Sequence, residues 1–86
     1  MLKIYGSMLC KDCVRCCEDL TKAGVDFCFF DFSKELGNLK TFLAYRDREP
    51  IFEAVKESGI IGIPCIVDES GNIVLDWSKY VGQAGA

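Results

Sequence analysis

Cys10-Lys11-Asp12-Cys13 places two thiols three positions apart, and four of the chain's six cysteines fall between Cys10 and Cys17. Two thiols at this spacing suit thiol–disulfide exchange. That reaction needs one thiolate to attack a substrate disulfide and a second thiol within reach to resolve the mixed disulfide. The attacking species is the thiolate, and a free cysteine titrates near 8.5. A helix N-terminus, where unpaired N–H groups and the dipole favour negative charge, is therefore the place to put it. Cys10 takes that place if a helix starts there. Lys11 and Arg15 add positive charge nearby and Asp12 opposes them. Cys13 falls one turn later inside the helix, close enough for its Cα to lie within the roughly 4.4–6.8 Å that a disulfide spans. The sequence contains no histidine, which excludes a Cys-His hydrolase within one chain.

The surrounding sequence supplies the elements that would position the pair. Leu2 to Tyr5 reads as a strand and Gly6 to Leu9 as a loop. From Cys10, the recurrence of Cys13, Cys16, Cys17 and Leu20 at helical spacing predicts a helix, with Lys11, Asp12, Arg15, Glu18 and Asp19 on its other face and Gly24 as its stop. Val25 to Phe32, dense in aromatics, reads as a second strand. Ser33 to Gly37 is a connection. Asn38 is placed to cap a helix carrying Leu39, Phe42 and Leu43. Pro50 interrupts that segment, and a further helical piece runs from about Ile51 to Ser58, ended by Gly59. Ile63 to Val67 is a third strand, Glu69 to Asn72 a turn, and Ile73 to Leu75 a fourth strand in an antiparallel hairpin with the third. Trp77 to Val81 reads as a last helical turn and Gly82 to Ala86 as a frayed tail. The order is β-α-β-α-β-β: an α/β fold whose first two strands run parallel through a right-handed crossover.

Composition narrows the class. At 86 residues a single domain, 1–86, is expected, and a hydrophobic content of 50% supports a packed core. The net charge of −3 comes without a basic patch, which argues against nucleic acid as a partner. No stretch approaches the roughly 20 apolar residues that span a bilayer, and Lys3 and Gly6 break up any signal-peptide core, so a cytoplasmic monomer away from membranes is expected.

Ile4-Tyr5-Gly6-Ser7-Met8-Leu9-Cys10-Lys11-Asp12-Cys13, together with Gly62-Ile63-Pro64-Cys65-Ile66-Val67, resembles the glutaredoxin branch of the thioredoxin fold, and small bacterial glutaredoxin-like proteins in particular. The resemblance spans the whole chain in element order. It implies a four-stranded mixed sheet flanked by helices. Cys10 would be the exposed nucleophile, Cys13 the resolving thiol and Pro64 a cis-proline packed against them. The backbone of Ile63 would pair with an extended substrate, and Leu9 and Lys11 would flank it. The implied substrate is a protein or small-molecule disulfide. No bound cofactor is implied; glutathione, as reductant or co-substrate, or a thioredoxin-reductase-type enzyme would supply electrons. The chain departs from the family pattern at three places. Lys11-Asp12 replaces the usual proline and aromatic, Asp76-Trp77-Ser78 replaces the glycine-rich glutathione signature, and Ser7-Met8-Leu9 lacks the lysine often found before the first cysteine.

The remaining cysteines read as packing. Cys16 and Cys17 lie on the apolar stripe of the helix, Cys28 alternates within the aromatic strand, and Cys65 faces away from the Cys10 side. Two other readings compete. Cys10, Cys13 and Cys16 have the first three positions of a ferredoxin-type spacing, but position 20 is Leu20, and a zinc site would have to recruit Cys17 or a distant thiol. No metal site is therefore assigned, although an iron–sulfur-bridging protein stays an alternative. The other is a non-catalytic binding module of the same fold.

Overall fold

Leu2, Ile4 and Tyr5 are buried in the chain's first strand, an inner strand of the sheet that is paired along both edges. The computed structural model describes residues 1–84. The elements are β1 (Leu2–Gly6), α1 (Lys11–Lys22), β2 (Phe27–Asp31), α2 (Leu36–Arg48), a 3-10 turn (Pro50–Phe52), α3 (Glu53–Glu57), β3 (Cys65–Val67), β4 (Ile73–Val74) and α4 (Ser78–Ala84). The strands form one mixed sheet in the order β2-β1-β3-β4. β1 pairs parallel with β2, Ile4 opposite Phe29, and antiparallel with β3, Ile4 opposite Ile66; β3 and β4 are antiparallel.

Alternation along the strands divides the core between the two faces. Leu2, Ile4 and Ile66 meet Cys16 and Leu20 of α1, with Trp77, Tyr80 and Val81 closing that side. Tyr5, Cys65 and Val67 meet Phe42 of α2 and Phe52 of the 3-10 turn on the other. The Phe42 and Phe52 rings pack edge to face with centroids 6.0 Å apart, and Tyr5 stacks on Phe30 at 5.0 Å. The Trp77 indole N–H donates to the Asp19 carboxylate at 2.9 Å, tying α4 to α1. No described helix is long and apolar enough to cross a membrane.

Several boundaries differ from the sequence expectation. α2 starts at Leu36, so Asn38 is not its cap; instead the Asn38 side-chain amide donates to the Asp31 carbonyl at 3.2 Å, linking the helix to β2. β2 is confined to Phe27–Asp31, because the chain turns from Phe32 onward, the Lys34 N–H donating back to the Asp31 carbonyl at 3.2 Å, while the Phe32 N–H makes the last bond to β1, to the Gly6 carbonyl at 2.9 Å. The last helix extends to Ala84, so Gly82 to Ala84 are not a tail; residues 85 and 86 of that expected tail lie outside the described residues.

Two cysteine assignments also change. Cys28 is exposed: it sits on an edge strand opposite Lys3, itself exposed, and the cover on that face packs against the Tyr5–Phe30 end instead. Cys17 lies at the margin of the helical stripe and is half-buried, whereas Cys13, Cys16 and Leu20 on its centre line are fully buried.

Candidate active site

Cys10 is the N-cap residue of α1, with extended backbone (φ −95°, ψ 124°) and no side-chain hydrogen bond closing the cap. A cap residue of the usual kind spends a side-chain oxygen on the first-turn N–H groups. A thiol there leaves them free for a developing negative charge. The Cys10 carbonyl accepts the Val14 N–H at 3.2 Å, and the Cys10 N–H donates to the Ser7 carbonyl at 3.0 Å. Its side chain is partly exposed.

Cys13, one turn on, is fully buried, with the Cys10 thiol near enough to act on its ionisation. Burial pushes the Cys13 thiol up to about 12; the neighbouring Cys10 adds to the rise, while the Ser7 backbone N–H, aimed at the Cys13 sulfur, opposes it. The two thiols thus occupy different settings: Cys10 at the surface on an open helix end, Cys13 beneath it, held neutral, with one backbone donor waiting for its thiolate.

Gly6 makes this packing possible. A Cβ at this position would lie 2.6 Å from the Cys13 sulfur and 3.5 Å from the Phe29 ring. The signal for it was present in the sequence: a glycine ending a strand pattern a few residues before a Cys-x-x-Cys marks a close approach of backbone to side chain.

Pro64 is buried at the start of β3, and the Ile63–Pro64 peptide bond is cis. The β1–β3 register sets Tyr5 opposite Cys65; continued one step, it sets Pro64 beside Gly6, and hence at the end of β1 where Cys13 packs. The Ile63 side chain packs into the α2-side core, and among the described residues no intramolecular backbone hydrogen bond engages it. The approach to this segment is fixed by Arg46, whose guanidinium donates to the carbonyls of Ile60 at 2.7 Å and Ile61 at 2.8 Å. Sequence reasoning missed Arg46, since a charged residue on a helix face carries no sign of its partner. Leu9 is 88% exposed beside Cys10, and Lys11 is exposed on the first turn of α1.

The other thiols stand apart from this chemistry. Burial raises Cys16 and Cys65 to about 12 and raises Cys17 as well. Cys65 lies in the α2-side core, across the sheet from α1. Among the described residues no three His, Cys, Asp or Glu side chains converge as a metal-ligand set: along α1, Cys13 and Cys16 point into the core while Cys17 lies at the surface with Glu18, Thr21 and Lys22. Asp76, in the segment that departs from the glycine-rich signature, accepts the Ser78 N–H at 3.0 Å and hydroxyl at 2.7 Å at the start of α4.

No family model matches the sequence, and no solved structure matches it. An uncharacterized protein of Haemophilus influenzae is 36% identical over 76 residues, 88% of each chain. That identity over nearly the whole length is shared descent, and the chain belongs to the same family as this Haemophilus influenzae protein.

Proposed function

We propose that the protein is a thiol–disulfide oxidoreductase of thioredoxin-like, glutaredoxin-type architecture, with Cys10 as nucleophile and Cys13 as resolving thiol. The observation that carries this reading is the pairing of a partly exposed thiol at an uncapped helix N-terminus with a fully buried thiol one turn on in the same helix. The strand order, with its parallel first pair and antiparallel second half, agrees with the architecture that the glutaredoxin resemblance implies.

The Cys10 thiolate attacks one sulfur of a substrate disulfide. A Cys10–substrate bond forms and the other substrate sulfur leaves as a thiolate. Cys13, losing its proton, attacks the Cys10 sulfur. The Ser7 N–H supports the negative charge on Cys13 as it forms. The second substrate thiolate leaves, and the protein ends with a Cys10–Cys13 disulfide and two electrons passed to the substrate. Two electrons from glutathione or from a thioredoxin-reductase-type enzyme restore the dithiol. An extended segment of a protein or small-molecule disulfide would lie along the backbone of Ile63 beside Pro64, flanked by Leu9 and Lys11.

The test is a redox titration of the wild type, Cys10→Ser and Cys13→Ser, with glutathione and a thioredoxin reductase as competing reductants. One two-electron couple that vanishes in either variant supports the reading, and the reductant that re-reduces the wild type identifies the electron donor. Absence of any couple between −300 and −150 mV, a window of about the glutaredoxin and thioredoxin range, contradicts it.

A further inference from the structure

Ser7, Met8 and Leu9 connect β1 to Cys10, and none of them belongs to a helix or strand. Such a segment is ordinarily the mobile part of a fold. Here several main-chain groups leading to the nucleophile are held. Ser7 is the one buried polar side chain among the described residues, 6% exposed. Its Oγ accepts the Leu9 N–H at 3.1 Å and lies 2.8 Å from the Ser33 Oγ. Its carbonyl accepts the Cys10 N–H, and its own N–H favours the Cys13 thiolate. The Ser33 hydroxyl and N–H both bond to Asp31 Oδ1, the N–H at 2.9 Å. The Met8 backbone N–H also favours the ionised Asp31 carboxylate.

The direction of this chain is determined by counting hydrogens. An ionised carboxylate only accepts, so the single Ser33 hydroxyl hydrogen is committed to Asp31. Ser33 Oγ therefore accepts from Ser7, whose hydroxyl hydrogen is committed in turn, leaving Ser7 Oγ to accept from Leu9. Every bond runs the same way, from the Leu9 N–H through Ser7 and Ser33 to Asp31. Aligned hydrogen bonds polarise one another, and one ending on a charge is stronger than a neutral chain.

We propose that Asp31, Ser33 and Ser7 form a positioning relay that holds the Leu9–Cys10 backbone at the mouth of α1 and thereby sets the reactivity of Cys10. The relay rests on Cys10 being the nucleophile. It assigns Asp31 and Ser33, on a different strand and connection from the cysteines, a part in the site without contact with substrate.

The test compares alkylation by iodoacetamide at pH 7, cysteine by cysteine, by peptide mass spectrometry of the reduced full chain. Exposed Cys28 is the internal standard, and buried Cys16 and Cys65 report loosening of the fold. Ser33→Ala should slow Cys10 about three- to tenfold relative to Cys28, the range expected for losing one net hydrogen bond in a coupled chain, while Cys16 and Cys65 stay protected. Ser33→Thr, which keeps the hydroxyl at an exposed position, should restore most of the rate. In the Ser7→Ala/Asp31→Ala cycle the double variant should lose no more than the worse single variant. An unchanged or raised Cys10 rate in Ser33→Ala overturns the relay, as do additive losses in the cycle or loss of protection at Cys16 and Cys65. These rates are read on thiols, so a wild type without a redox couple defeats the oxidoreductase reading and still leaves the relay decided by its own result.

Discussion

At the scale of single residues, the site depends on a missing side chain as much as on the two thiols. Gly6 lets the Cys13 sulfur settle against backbone, and an added methyl would stand 2.6 Å from it. Gly6→Ala should destabilise the protein by about 1–3 kcal/mol, the usual cost of overpacking, measured by denaturant unfolding. With Cys13 in the proposed resolving role, the same variant should still form mixed disulfides through Cys10 but release them more slowly; release at the wild-type rate would show that Cys13 is not constrained by this contact. The placement of Cys10 at a helix start and of Cys13 inside the helix was legible from their spacing, whereas the cis Ile63–Pro64 bond was legible only through the family resemblance. Cys28 was not: alternation gives the face of a strand residue, but whether a helix covers that face is decided by packing far away in sequence, and here Lys3 and Cys28 lie beyond the cover.

At the scale of elements, α2 is a scaffold for the segment that enters β3. The Arg46 fork onto the Ile60 and Ile61 carbonyls joins that helix to a stretch without regular structure. Removing it in Arg46→Ala should raise amide hydrogen exchange across residues 59–63 and cost about 1–3 kcal/mol, the range for hydrogen bonds to a charged group. Exchange unchanged in that window would mean the fork is incidental. The start of α2 shows why boundaries resist sequence reading. Asn38 has the chemistry of a cap, yet its amide serves better in bridging to the Asp31 carbonyl, and the helix begins three residues earlier with Glu35 as a cap that makes no side-chain bond. The α1 stop at Gly24 and the Asp68 turn behaved as local chemistry dictates: Gly24 takes φ +73°, and Asp68 Oδ1 accepts the Ser70 and Asn72 N–H groups at 2.9 Å each.

At the scale of the molecule, one sheet divides two small cores, and three of the buried side chains are thiols whose ionisation burial opposes. Cys13, Cys16 and Cys65 are each raised to about 12. In the unfolded chain they titrate near 8.5. Below that value both states hold the protons and stability is full. As pH rises from there toward 12 the unfolded state releases protons that the folded state keeps, so stability falls. Denaturant midpoints of the reduced protein should therefore drop between pH 7 and pH 9.5, and Cys65→Ala, a thiol outside the site, should flatten part of that slope at some cost in packing. A midpoint independent of pH would contradict the burial of these thiols. The α/β class, the element order and the antiparallel end of the sheet were readable from periodicity and turn chemistry, while the division of residues between the two faces required the register.

The central claim is that Cys10 attacks and Cys13 resolves. It is tested most directly by incubating reduced Cys13→Ser and Cys10→Ser with a disulfide substrate and resolving the adducts by non-reducing mass spectrometry. Cys13→Ser should accumulate a stable mixed disulfide mapped to Cys10, and Cys10→Ser should accumulate none in the site. A trap mapped to Cys13 in the Cys10→Ser protein, with none at Cys10 in the Cys13→Ser protein, would contradict the assignment.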